Sequence, residues 1–439
     1  MRSFFLTLSL ILLFTSSASS AQITSGDISG LSLEECLILS LTNHPSLRKS
    51  KASTRDLSAQ LETLRAANRV QVSLTGSANY SGTYEYWSKN SNSESLSLSA
   101  TKLLYDNSRN AIQKEIKREN INASLETERS TQITVAAGAK RAYYDLVLKF
   151  LNRDVEQEKL RNYEEQLRKA KGLYEVGNSA LIEVTKAQSD VSSARVSLLK
   201  AENDILVSQE ALRVAMGTDI SGPFNIALST ELLLPQPAEN VNLLIDTALE
   251  DRPDYKKLMH DVRAGELSIK NAARANSPTI NGEARTSVTA TKDTSSAKNY
   301  YIGVNVNVPV SDGGATKAGI ESARAKLEQV HADVETLRQQ VIYKVRSAVL
   351  SLTNAVDRVR SSETGVKYAE ENLTLAQGRY EVGVGTPLEL SEAVSALASA
   401  RYAYYQALYD AQTARADLDE ALGHLPPEIE GREELWEVR

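Results

Sequence analysis

The chain has 439 residues, with 56 acidic and 50 basic side chains and a formal net charge of −6. That balance excludes the basic footprint of a nucleic-acid binder. A single cysteine, Cys36, excludes an internal disulfide, and the histidines (His44, His260, His331, His424) are too scattered for a zinc site or histidine-based catalysis.

Arg2, an apolar run from Phe4 to Phe14 and the small residues Ser16–Ala21 read as a secretory signal peptide, residues 1–21, cleaved after Ser20 or Ala21. Cys36 lies too far beyond that point to be a lipid-anchor cysteine and is expected on the apolar side of the first helix. No later stretch has the length and hydropathy of a membrane helix.

A first repeat spans 22–220. Leu33, Leu37, Leu39, Leu41 and Leu47 mark an opening helix punctuated by Pro45 and continuing to about Asn68. The period then changes to two: Val70, Val72, Leu74, Gly76, Ala78 and Tyr80 alternate with polar residues, which predicts a strand over 69–82. A polar loop with Tyr84, Tyr86 and Trp87 separates it from a second strand, 94–104, carrying Leu96, Leu98 and Ala100. Helical periodicity returns over 106–172 and, after the break at Gly177-Asn178, over 181–216, with Gly217 as terminator. The proline-rich segment 221–239 reads as a linker.

The second repeat, 240–424, follows the same plan, with strands at 278–290 and 299–310 and helices at 312–378 and 387–422. From Asp106 onward a constant offset of 206 aligns the halves: Asp106 with Asp312, Tyr174-Glu-Val-Gly177 with Tyr380-Glu-Val-Gly383, and Gly217 with Gly423. Identity at a break is harder to obtain by chance than identity in an alanine-rich seam, so the duplication is real. The longest helix carries a coiled-coil seam from Ala323 through Leu327, Val330, Val334, Leu337 and Val341, then Val345, Ala348, Leu352, Ala355, Val359, Ser362 (filling one slot), Val366, Ala369, Leu373 and Ala376 to Tyr380. Its one irregularity is an extra step of four between Val341 and Val345. Pro426-Pro427 end the last helix, and the C-terminal tail, 425–439, is read as polar from Glu428 to Arg439.

Four strands with one apolar face each have the length of outer-membrane barrel strands. They cannot close a barrel alone, and an open edge is not tolerated in lipid, so several copies must share one barrel. Two copies give eight strands with a filled interior; three give twelve and a lumen. The alternative is a pair of hairpins in a soluble sandwich, against which stand the nearly uncharged wet faces and the long rods.

The chain resembles a TolC-type outer membrane efflux protein. The resemblance rests on Leu33-Glu34-Glu35-Cys36-Leu37 with Asn43-His44-Pro45, on Arg252-Pro253-Asp254, on Val308-Pro309-Val310-Ser311-Asp312-Gly313-Gly314, and on the Tyr-Glu-Val-Gly turns. It implies a trimer with a twelve-stranded barrel in the outer membrane lipid, a helical tunnel in the periplasm and an equatorial belt from the linker and tail. It further implies a passive exit duct for efflux or type I secretion, completed by a periplasmic adaptor protein and an inner-membrane pump of RND, ABC or MFS type. A secreted coiled-coil scaffold or adhesin is the alternative of a different class. No nucleophile–base–acid set or dinucleotide loop is present; Gly383-Val384-Gly385 lacks the preceding strand. The expected protein is a non-enzyme without cofactor or metal.

Glu389 and Glu392 lie three apart on one helix face. They are either a solvated acidic face favoured by the helix dipole or, as the resemblance implies, the lining of the periplasmic aperture. Tyr174, Glu183 and Tyr380 match positions of gate-closing hydrogen bonds, whereas Gly385 stands where some members carry a gate-locking arginine. The turns at Val176-Gly177 and at Val382, Gly383, Gly385 and Thr386 are the expected adaptor contacts.

Overall fold

The computed structural model describes residues 30–439 except 84–85, 178, 219–223, 225, 228–233, 237–239, 292–293, 430, 433 and 438–439. The proposed signal segment lies outside the described residues. Helices α1 (Leu33–Asn43) and α2 (Pro45–Ala66) lead into strands β1 (Gln71–Thr83) and β2 (Tyr86–Tyr105). Helices α3 (Arg109–Glu175) and α4 (Leu181–Met216) follow. The series then repeats as α5 (Val241–Asp251), α6 (Pro253–Ala273), β3 (Thr279–Thr291), β4 (Thr294–Asn307), α7 (Ala315–Glu381) and α8 (Pro387–Leu422), with a short α9 (Glu434–Glu437) in the tail. Both long helices have 67 residues and both return helices 36. At 1.5 Å per residue the long ones reach about 100 Å, far beyond the needs of a compact core.

The four strands form one antiparallel sheet in the order β1-β2-β3-β4, so the hairpins of the two halves zip together along β2 and β3. Register places every apolar alternation on one face: Val72 opposite Ala100, Leu74 opposite Leu98, Leu96 opposite Val288, Ala284 opposite Ile302. None of the described residues covers that face, and Leu74 and Ile302 are 67% and 82% exposed. The other face is wet. Hydroxyl pairs Ser73–Ser99 and Ser77–Ser95 sit at 2.8 and 2.9 Å across the β1–β2 ladder.

Two strand limits differ from the sequence reading. Strand β2 begins at Tyr86, inside the expected polar loop, because the Ser/Asn-rich run has no Gly or Pro and pairs with β1, residue by residue from Ser91 on (Ser81 with Ser91, Tyr80 with Asn92) and, across a register shift, at Tyr86 with Thr83. Pairing overrides weak strand propensity there. Strand β4 begins at Thr294 and stops at Asn307, short of the expected 310, because Pro309 has no N–H for the ladder. The long helices also start and end about three residues later than expected. Asp106 and Asp312 instead precede them, each accepting from the amide four residues on, Asn110 and Thr316, at 2.7 Å.

The helices make a two-tier wall. In the tier next to the sheet the order is α2–α3–α6–α7; beyond the waist it is α4–α3–α8–α7. Helices α3 and α7 run through both tiers, while α2 abuts α4 and α6 abuts α8. The irregularity between Val341 and Val345 marks this change of partner. Above it Leu327 packs beside Gly265 of α6; Val341, Val345 and the residues below pack with Ala411, Leu418 and Leu422 of α8. Gly217 and Gly423 therefore do more than end helices. Both adopt positive φ, and a Cβ on them would lie 2.6 Å from the His44 Cα and 2.9 Å from the Arg252 Cα respectively. The conserved geometry of both halves is a glycine seated against the X-Pro start of the next helix.

At the waist, Cys36 is fully buried as expected, with Tyr143, Leu146, Leu212 and Met216. Burial, then the neighbouring Glu35 carboxylate, push its thiol up to about 12. The tail is not simply polar: Ile429 and Trp436 are buried against Leu37, Leu41 and Val135, and Lys140, only 2% exposed, donates to Glu428 at 2.7 Å. The described part of the linker packs on the same waist, where the Tyr143 hydroxyl donates to the Ala227 carbonyl at 2.8 Å.

Candidate functional site at the coil tips

The far end of the wall consists of two helical hairpins, α3–α4 and α7–α8, held side by side through α3 and α8. Cross-links run down this contact: Arg401 of α8 pairs with Glu158 of α3 and Tyr163 of α3 meets Ser395 at 2.8 Å, while Ser391 of α8 donates to Asp190 of the neighbouring α4 at 3.3 Å. Nearest the tips, Lys169 of α3 donates to Glu381 of α7 at 3.0 Å.

Between the hairpins lies a cavity of about 110 Å³ whose walls include Gln166, Ile182, Glu183, Tyr380 and Pro387. Glu183 and Tyr380, singled out from the sequence, thus face one space from different hairpins. Tyr380's pKa is raised, first by burial and then by the Glu183 carboxylate, against the opposing pull of Lys169. Its hydroxyl therefore stays a neutral donor near neutrality. Glu183 is held from its own turn by the Ser179 hydroxyl. Tyr174 does not join them; it stands exposed at the end of α3.

Glu389 and Glu392 are both exposed on the first turns of α8. The Thr386 side chain accepts from the Glu389 amide at 3.2 Å, and Pro387 opens the helix, so this start is strongly specified. A neighbour missed in the sequence reading is Arg379, whose Nε lies 3.6 Å from the Glu389 carboxylate. The two are ten residues apart on different helices, so no helical spacing announces the pair.

The two turns differ. Val176 and Val382 project into solvent from matching positions, and Gly177 and Gly383 take φ of 77° and 76° with open space around them. Beyond Gly383 the second turn folds back: the amides of Val384 and Gly385 both donate to the Arg379 carbonyl, at 3.0 and 2.9 Å. A Cβ on Gly385 would sit 2.9 Å from the Tyr380 nitrogen, so this turn excludes an arginine there. Gly385 and the Thr386 hydroxyl serve the turn itself. The exposed apolar tip is made by Val176, Val382 and Val384, with Ile182 beside them.

A sheet bare on its apolar face, mounted on a stalk of paired coils, is the construction of an outer-membrane export channel. The model of the family described as outer membrane efflux protein matches residues 37–218 and 244–424, and the chain belongs to that family. It is 26% identical over 409 residues to the probable efflux pump outer membrane protein TtgC of Pseudomonas putida, covering 89% of this chain and 82% of that one. To the cation efflux system protein CusC of Escherichia coli it is 23% identical over 391 residues, covering 87% and 84%. Among solved structures, a CusC chain superposes with a TM-score of 0.75 at 20% identity, over 89% of this chain and 92% of that one. The open-state MtrE outer membrane channel of Neisseria gonorrhoeae superposes with a TM-score of 0.74 at 18% identity, over 89% of each. The protein is thus an efflux duct of the outer membrane rather than a secreted scaffold.

Proposed function

We propose that three copies of this chain close a twelve-stranded barrel and a helical tunnel, forming a passive exit duct opened at its coil tips by a periplasmic adaptor and driven by an inner-membrane pump. The observation that carries this reading is that both layers are open at two matching edges. In the sheet, β1 and β4 have unpaired outer sides of 13 and 14 residues. Each unsatisfied backbone group costs several kcal/mol in hydrocarbon, so these edges need partners. In the wall, the edge helices are α4 and α7. Helix α4 exposes Val196, Leu199, Val207 and Val214, and α7 exposes Tyr343, Leu350, Tyr368 and Leu375. A neighbouring copy that sets its β1 against β4 also sets its α4 against α7. Cyclic repetition closes both layers, and three copies leave a lumen where two would not.

In this assembly the Lys169–Glu381 and Ser391–Asp190 cross-links, with Glu183 and Tyr380 facing one another across the cavity, hold the hairpins of each chain together at a closed gate. The acids Glu389 and Glu392 line the aperture, and the apolar tips receive the adaptor. Gly383→Trp tests the tip role. The site is open, so the indole is accommodated and only the positive φ costs stability, about 1 kcal/mol. Export by cells carrying the variant is expected to be lost while membrane-inserted protein remains at the wild-type level. Retained export would show that the tips are ordinary turns.

A further inference from the structure

The two acids of the aperture do not act alone. We infer that Arg379 is a specificity-determining residue of the duct, a built-in countercharge that cancels the carboxylate of Glu389 and leaves Glu392 to set the net charge of the aperture. The inference deepens the proposed function and rests on its reading of these residues as the constriction.

Three observations carry it. First, the Arg379 guanidinium lies 3.6 Å from the Glu389 carboxylate. Second, the backbone on both sides of the pair is fixed. The carbonyl of Arg379 accepts from Val384 and Gly385, which anchors the last turn of α7, and Glu389 is seated by the Thr386 cap. Third, both charges suit their helix ends, the cation in the last turn of α7 and the anion in the first turn of α8. The side chains are 57% and 47% exposed. Their pairing therefore contributes little to stability. Its effect on permeation does not depend on that energy. At 3.6 Å the guanidinium lies well within a Debye length of about 8 Å of Glu389, and a narrow opening responds to the summed charge of its rim.

One guanidinium against two carboxylates leaves one net negative charge per chain at the rim. Removing Arg379 doubles it. Removing either acid abolishes it. Removing both acids uncovers Arg379 and makes the rim positive, so ion preference should invert rather than fade. Removing Arg379 together with Glu389 should restore the original value.

The test is reversal potential under a potassium chloride gradient, measured on the purified full assembly in planar bilayers. Arg379→Gln is expected to raise the cation-to-anion permeability ratio about twofold or more. Glu389→Gln and Glu392→Gln are each expected to bring the ratio toward one. Glu389→Ala with Glu392→Ala should favour anions, and Arg379→Gln with Glu389→Gln should match the wild type. If Glu392→Gln lowers the ratio while Arg379→Gln leaves it unchanged, the acids line the constriction but the countercharge is refuted. If none of the variants alters the ratio, the constriction lies elsewhere and the aperture reading itself fails.

Discussion

The first and second halves share a backbone plan but reach it with different residues. Where the second half enters its long helix through Gly313-Gly314, at φ of 62° and 94°, the first half uses Asn107-Ser108 in the same left-handed region. Asn107 is supported by its side chain, which donates to Ser277 at 2.8 Å, and by Arg274, which donates to its carbonyl at 3.0 Å. At the waist, His44 of the first half only caps its own helix, accepting from the Ser46 amide through Nδ1 at 3.2 Å. Its counterpart Arg252 is buried, donates to the Ala421 carbonyl at 2.7 Å and grips Asp254. At the tips, the α3–α4 turn has no side-chain cap on its second helix, whereas α7–α8 is tied by Thr386 and by the fold-back onto Arg379. At these three places duplication has preserved dihedral angles and close approaches while the side chains differ, and the second half has acquired the tighter ties.

The largest expected effect comes from positions the halves cannot vary. Gly217→Ala and Gly423→Ala each force a Cβ into backbone and require a left-handed alanine, a combined cost of about 3 kcal/mol or more. Gly177→Ala, with a similar φ but open surroundings, should cost about 1 kcal/mol. Thermal unfolding of the purified variants checks the ordering; equal costs at all three sites would mean that the end-to-end helix packing is not a structural requirement.

A smaller effect separates His44 from Arg252. Arg252→Ala strands the Ala421 carbonyl and the Asp254 carboxylate and should cost about 3 kcal/mol. His44→Ala removes only a cap, worth about 1 kcal/mol. Denaturant midpoints of the two variants measure the difference, and parity between them would erase the asymmetry described here. The smallest effect has the opposite sign. Ser108→Gly relieves a left-handed serine without losing a hydrogen bond from its side chain and should stabilise by about 1 kcal/mol. Gly314→Ser, the reverse exchange in the other half, should destabilise by a similar amount.

Much of this plan was legible in the sequence because it rests on periods. The switch from 3.6 to 2 at Val70, the seam of α7 and the Tyr-Glu-Val-Gly breaks are patterns a single chain displays openly. What escaped depends on partners distant in sequence. The seam irregularity at Val341 could be seen, but its cause, the handover from α6 to α8, required the packing. Gly217 announced a helix end without showing that His44 presses against it. The start of β2 was hidden because Ser and Asn carry little strand preference of their own. At the tips, Glu183 and Tyr380 were found through a resemblance and Glu389 with Glu392 through helical spacing. Arg379 has neither signal, since only the reversal of the chain at Gly385 brings it to Glu389. The tail misread as polar shows the same limit: Ile429 and Trp436 are two isolated anchors with no period to reveal them.

The central claim is that the bare edges of the sheet and of the helical wall are closed by copies of the same chain. The most direct measurement is the mass of the detergent-extracted protein by native mass spectrometry. Three chains per particle, persisting on dilution, is the result expected. A stable monomer, or a dimer with no third copy, would contradict the shared barrel and with it the duct built from it.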